Sequence, residues 1–121
     1  MVHTVVVVDD DDAVRDAIAE VLALDGYHVV TACDGDEALR LIGAASRPCV
    51  ALVDLVMPNV DGWELVRALS EAPGLRDIPI VCTTAGRDEV PLGCVAVLRK
   101  PFDDRALAEA VRGAFARRAT E

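Results

Sequence analysis

The feature that most constrains this chain is Thr4-Val5-Val6-Val7-Val8, an unbroken apolar run that ends abruptly in four consecutive aspartates, Asp9 to Asp12. A short β-branched run with no polar alternation suits a strand buried on both faces, as in a parallel sheet covered by helices. Three more apolar runs also end in polar residues. Val50-Ala51-Leu52-Val53 leads to Asp54, Ile80-Val81-Cys82 to Thr83 and Thr84, and Val95-Ala96-Val97-Leu98 to Lys100-Pro101. In a parallel α/β sheet the C-terminal strand ends share one edge, and ligands bind in the crevice beside it. Acids, a hydroxyl and a lysine far apart in sequence are thereby expected to meet.

Between these runs the periodicity changes to that of helices. Val14, Ala17, Ile18, Val21 and Leu22 make one stripe, with Asp12 as N-cap and Gly26 as the stop. Tyr27 to Thr31 reads as strand two, followed by a stripe of Ala38, Leu41, Ile42 and Ala45 that ends before Pro48. Strand three is Cys49 to Val53, followed by a helix from about Gly62 to Ser70 capped by Asp61. Strand four is Ile78 to Thr83 and strand five Val95 to Leu98. Leu107, Ala110, Val111, Ala114 and Phe115 mark a last helix capped by Asp103 or Asp104, and Arg117 to Glu121 reads as a fraying end. Alternating strands and helices imply βαβ units. The segment Ala85 to Cys94 breaks the rhythm, because it is short for a parallel crossover and contains Gly86, Pro91 and Gly93. One helical turn at most, or an irregular loop, is expected there.

A chain of 121 residues supports one domain, so residues 1–121 are read as a single unit. With 53% hydrophobic residues but only one Trp, one Tyr and two Phe, the core must be aliphatic. The net charge of −9 argues against nucleic acid or anionic membrane as a direct partner and favours cations or basic protein surfaces. No apolar run approaches the roughly 20 residues of a membrane span, and no signal peptide precedes the first strand, so a cytoplasmic location is expected. Cys33, Cys49, Cys82 and Cys94 lack metal-ligand spacing and are read as buried, reduced thiols rather than a disulfide framework or zinc site.

In the order 2-1-3-4-5, strands one and three are neighbours, and Asp9, Asp10 and Asp54 crowd together. Two carboxylates about 5 Å apart at an effective dielectric of 20 repel by about 3 kcal/mol. A hard divalent cation offsets that cost, and Mg²⁺ suits one or two carboxylates, several waters and a phosphate oxygen. A solvated turn with a helix cap would account for Asp12 and Asp11, but not for two further acids directly after the valines. Thr84 could donate to a phosphoryl oxygen, and Lys100 could bring a movable positive charge to the same group. Taken singly, each could be an ordinary strand residue or a surface cation.

Together these features resemble the receiver domain of bacterial two-component response regulators, of the chemotaxis-regulator type. The likeness spans Val5 to Phe115 and rests on Asp9-Asp10, on Asp54 within Val-Asp-Leu-Val-Met-Pro-Asn-Val-Asp-Gly, on Thr84-Ala85 and on Lys100-Pro101-Phe102. It implies a flavodoxin-like, doubly wound five-stranded parallel sheet of order 2-1-3-4-5, here with a shortened or irregular fourth helix. It also implies that Asp54 accepts a phosphoryl group from the phosphohistidine of a sensor histidine kinase or phosphotransfer protein. Asp10, Asp54 and the backbone carbonyl of Val56 would bind Mg²⁺, with Asp9 acting through water. Lys100 would pair with Asp54 and then with the phosphate, and Thr84 would act as the switch towards a downstream protein target. A cis Lys100–Pro101 peptide is implied as well. Such a domain signals and is not an enzyme beyond its own phosphorylation and dephosphorylation.

Three positions bear on how far the family pattern carries over. Val97 stands where an aromatic residue usually reports phosphorylation to the surface, which puts the usual output face in doubt. Val56 and Gly86, at positions that tune dephosphorylation, cannot hydrogen-bond a water through their side chains, so slow phosphate loss is expected. Two other readings compete. One is a receiver-like interaction module that works without phosphorylation. The other is a phosphatase of the haloacid-dehalogenase type, using Asp9-x-Asp11 with Thr84, Lys100 and Asp103-Asp104. Against the phosphatase, Asp12-Ala13 replaces the usual Gly-Thr, no cap domain fits, and Asp54 with its Met57-Pro58 is left unexplained.

Overall fold

The computed structural model describes residues 2–57, 62–86 and 89–119. The elements run β1 (Thr4–Val8), α1 (Asp12–Leu24), β2 (His28–Ala32), α2 (Gly35–Ala44), β3 (Cys49–Asp54), α3 (Gly62–Glu71), β4 (Ile80–Thr84), β5 (Cys94–Arg99) and α4 (Asp104–Ala119). The five strands are all parallel and lie in the order β2-β1-β3-β4-β5. This is the doubly wound, flavodoxin-like sheet expected from the sequence.

The valine run shows why both faces of the sheet must be covered. Successive side chains of a strand point to opposite faces. Val6 and Val8 therefore join one core with Ala51, Val53, Ile42, Leu65 and Leu69, on the side of α2 and α3. Val5 and Val7 join a second core with Val50, Leu52, Ile18, Leu22, Leu107 and Val111, on the side of α1 and α4. The five residues of β1 and the six of β3 are all buried, whereas the edge strands β2 and β5 are only partly so.

Several boundaries differ from the sequence reading. Asp11, not Asp12, caps α1, its carboxylate accepting from the amides of Ala13 and Val14. Asp12 instead lies in the first turn, where a negative charge also suits the helix dipole. Strand two begins at His28 rather than Tyr27, β4 at Ile80 rather than Ile78, and β5 extends one residue beyond Val95–Leu98 at each end. The last helix continues through Ala119, beyond the expected fraying point, and its start is capped by Asp103, which accepts from the Ala106 amide at 2.8 Å. The expected cap Asp61 lies outside the described residues. The described residues between Thr84 and Cys94 contain no helix, in agreement with the short, Pro- and Gly-bearing connection.

The reading of the cysteines needs correction, because Cys82 and Cys94 form a disulfide. Their spacing in sequence carries no such signal. The bridge arises because β4 and β5 are neighbours and both residues face the α2–α3 core, which brings their Cα atoms to 6.2 Å. Cys33 is exposed and Cys49 buried, and neither takes part in the bridge.

At the N-terminal end of the sheet, the Thr4 hydroxyl is buried without a hydrogen-bond partner among the described residues. Its desolvation is uncompensated, and valine has nearly the same shape. Thr4→Val is expected to raise stability by about 1 kcal/mol, read as a higher urea midpoint with an unchanged m-value. A lower midpoint would mean that the hydroxyl is satisfied in solution.

Candidate functional site

The C-terminal edge of the sheet brings together side chains from β1, β3, β4 and β5. Asp9 follows β1 and is almost fully buried, its amide bonded to the Ala32 carbonyl and one carboxylate oxygen accepting from the Asp11 amide at 2.9 Å. Asp10 is exposed beside it. Asp54 is the last residue of β3, buried, and accepts from the Val56 amide at 3.2 Å. One carboxylate oxygen from each of Asp9, Asp10 and Asp54 lies within 4.8 Å of the others.

Lys100, just beyond β5, extends its ammonium between two of these acids, 3.2 Å from Asp9 Oδ2 and 3.5 Å from Asp54 Oδ2. The peptide bond joining it to Pro101 is cis, as is Arg47–Pro48. The Lys100 backbone amide donates to the Thr84 carbonyl at 2.7 Å. Thr84 is buried at the end of β4, and its hydroxyl oxygen accepts from the Gly86 amide at 3.2 Å. Val56 lies on the rim with its side chain largely exposed.

The charges are strongly coupled. Burial pushes the Asp54 carboxyl above the usual range, and Asp9 adds to that, against the pull of the Val56 amide and Lys100. Burial works to lower the Lys100 pKa, but Asp54 and Asp9 outweigh it and hold the ammonium above the usual lysine value. Three carboxylates and one ammonium leave two negative charges in the cluster. A hard divalent cation with all-oxygen ligands matches that excess. With only three carboxylates and one side open to water, the site suits Mg²⁺ better than Ca²⁺, which takes six to eight oxygens.

Arg15 escaped the sequence reading, which named Gly62 only as the end of the Asp54 motif and the start of a helix. Arg15 is the one basic residue in α1. Its guanidinium donates to the Asp9 carbonyl at 3.0 Å and pairs with Asp12 at 2.6 Å, which pins the acidic loop. An arginine three residues after an aspartate was the available signal. Gly62 opens α3 where a Cβ would run into the Asp54 carbonyl oxygen and the Leu55 Cα, so only glycine lets the helix start against the end of β3. Its amide donates to the Leu55 carbonyl at 3.2 Å. The Asp103-Asp104 pair needed by the phosphatase reading is occupied otherwise, since Asp103 caps α4 and Asp104 lies in that helix's first turn.

The raised pKa of Asp54 has a stability consequence. The folded state holds this proton more tightly than the unfolded chain, so stability falls as pH rises from the usual carboxylate range through the raised value. Asp54→Asn is expected to stabilise the metal-free protein at neutral pH by roughly 1 kcal/mol, about 4 °C in melting temperature. The gain should disappear in acid, where Asp54 is already protonated. Calorimetric melts with EDTA across that pH range would show it. A gain that persisted in acid would exclude charge relief as its cause.

The chain is similar in sequence and fold to known proteins. The family model described as "Response regulator receiver domain" matches residues 5–112. Response regulator MprA of Mycolicibacterium vanbaalenii is 42% identical over 105 residues, which cover 81% of this chain but 44% of that protein. The chain thus spans less than half the length of the curated relatives it matches. Among solved structures, a CheY-like receiver domain protein from Methanospirillum hungatei superposes with a TM-score of 0.86 at 29% identity, over 98% of each chain. The response regulator TrrA of Thermotoga maritima, solved in complex with Mg²⁺-BeF, gives 0.82 at 26% identity, over 94% of this chain and 99% of that one. By the extent of the family match and by the strand-end carboxylates and lysine it contains, this chain belongs to the response regulator receiver domain family.

Proposed function

We propose that residues 1–121 act as one receiver module in which Asp54 accepts a phosphoryl group from the phosphohistidine of a sensor histidine kinase or phosphotransfer protein. The observation that carries this reading is the Lys100 ammonium held between Asp9 and Asp54 in a cluster of three carboxylates. An isolated buried aspartate would be neutralised by its surroundings. Here Asp54 is kept beside a cation and two further acids that together provide for a metal and a phosphoryl group.

An oxygen of the Asp54 carboxylate attacks phosphorus in line as the phosphohistidine imidazole departs. Lys100 then exchanges its ion pair with Asp54 for one with a phosphoryl oxygen. The Thr84 hydroxyl leaves the Gly86 amide and donates to a second oxygen, which moves the end of β4 and biases a protein-binding surface. Mg²⁺, held by Asp10, Asp54 and the Val56 carbonyl with Asp9 acting through water, would supply positive charge to the phosphoryl oxygens. The Mg²⁺-BeF complex of the Thermotoga relative supports the choice of ion.

The domain is a signalling element, and its target is taken to be a protein. The net charge of −9 disfavours nucleic acid, and no helix among the described residues is long and apolar enough to cross a membrane. A cytoplasmic setting, where a kinase can reach Asp54, fits this reading. Two observations favour a second reading, docking without phosphorylation: the described part of the β4–β5 connection has no helix, and Val97 provides no aromatic relay. Partner binding that survives Asp54→Asn unchanged would select it.

Incubation with acetyl phosphate and Mg²⁺ is expected to add one phosphoryl group by mass. The addition should be abolished in Asp54→Asn and by EDTA. Absence of the adduct in the native chain, with an active receiver treated in parallel, would overturn the assignment. The aspartyl phosphate should also be long-lived, since the Val56 side chain is apolar and Gly86 has none. Val56→Asn would offer a hydrogen bond to the attacking water and is expected to shorten the phosphoryl half-life about tenfold. Loss of radiolabelled phosphate measures this, and an unchanged rate would rule out the role given to Val56.

A further inference from the structure

The disulfide between Cys82 and Cys94 has no part in phosphoryl transfer, yet it closes around the segment on which that transfer depends. Cys82 lies on β4 two residues before Thr84, and Cys94 opens β5. The two cysteines are 12 residues apart in sequence, so Thr83, Thr84 and Gly86 all fall inside the covalent ring they close. The described part of the connection has no helix to stiffen it. Among the described residues it is tied by hydrogen bonds from the Gly86 amide to the Thr84 hydroxyl, from the Arg99 guanidinium to the Gly86 carbonyl at 2.6 Å and from the Lys100 amide to the Thr84 carbonyl, and by the packing of Val90 on the core and the burial of Pro91.

From this placement we infer that Cys82–Cys94 is a reversible thiol–disulfide modification site, acted on by small-molecule thiols and disulfides, whose closure restrains the β4–β5 edge that carries Thr84 and Lys100. Three observations converge. First, β5 is an edge strand, paired only with β4, and its pairing is irregular where the bridge lies: Cys94 is in register with Ile80, but Ala96 with Val81. The bridge therefore ties the start of β5, at this irregularity, to Cys82, whose own backbone pairs with Val97 in the regular part of the ladder.

Second, the two cysteines are unequally buried. Cys82 is completely buried and Cys94 only partly. An incoming thiolate attacks Cys94 Sγ; its S–S bond to Cys82 breaks, Cys82 leaves as a thiolate that takes up a proton, and a mixed disulfide remains on Cys94. A second external thiolate attacks the external sulfur of that mixed disulfide and releases Cys94. The external dithiol or thiol pair loses two electrons and the protein gains them. Closure runs the same steps in reverse with a small-molecule disulfide as oxidant. Third, both states suit the surroundings. Ile80, Val66 and Leu69 of the α2–α3 core accept a bridge, and they equally accept two neutral thiols that behave as small apolar groups.

The link to signalling rests on the phosphorylation reading of Asp54, because Thr84 must leave Gly86 to reach a phosphoryl oxygen. The test uses the full chain carrying Cys33→Ser, which removes the exposed thiol. It is poised oxidised or reduced in glutathione buffers, and the bridge is counted by alkylation and mass. Dithiothreitol is expected to open the bridge in the folded protein and oxidised glutathione to restore it. Hydrogen exchange of the Cys94–Arg99 amides should be about fivefold slower when bridged. Phosphorylation by acetyl phosphate with Mg²⁺ should be slower by a similar factor, and both differences should vanish in Cys94→Ser and, independently, in Cys82→Ala. A bridge that opens only on unfolding, or equal exchange in the two states, would overturn the site. Equal phosphorylation rates with unequal exchange would overturn its link to the switch. If neither form accepts phosphate, the role of Asp54 falls, while the exchange comparison still decides the redox site.

Discussion

The placement of one ammonium group between two buried carboxylates organises this molecule. Lys100 lies within ion-pair distance of both Asp9 and Asp54, residues remote from it in sequence and delivered by strands β1 and β3. Without that cation, two acids buried beside a third would repel at a cost comparable to a large part of a small domain's net stability. With it, the cluster keeps an excess of two negative charges and one open side, a condition that a bound divalent ion would complete. The single ammonium thus offsets only part of the acidity of this edge.

The rest of the architecture serves to hold this edge in register. The all-buried strands β1 and β3 place Asp9 and Asp54 side by side, and the paired ends of β4 and β5 place Thr84 next to Arg99 and hence Lys100. Two features outside the charged set fix the finer geometry. Arg15 holds the carbonyl of Asp9 from α1, and the missing side chain of Gly62 lets α3 begin against the carbonyl of Asp54. These are packing and hydrogen-bond constraints on the backbone that carries the carboxylates. The disulfide adds a covalent constraint between the middle of β4 and the start of β5.

Much of this could be read from the chain itself, for an identifiable reason. Buried parallel strands have a plain signature, runs such as Val5–Val8 and Val50–Val53, and the residue that ends each run faces the common edge. Asp9, Asp54, Thr84 and Lys100 were therefore recognisable as neighbours before any coordinates. Boundaries were less legible. Asp11 and Asp12 are both capable caps, and which one takes the role depends on how β1 hands the chain to α1. Arg15 and Gly62 act through contacts with backbone atoms, which leave no periodic mark in sequence.

The sequence alone determined the alternation of strands and helices, the aliphatic core and the set of chemically competent strand ends, because these follow from local periodicity and residue type. Tertiary structure alone decided the sharing of Lys100 between two acids, the burial that raises the proton affinity of Asp54, and the joining of Cys82 to Cys94. Each depends on distances of a few ångströms between segments remote in the chain. Such distances are set by how the strands align and pack, which no single stretch of sequence encodes.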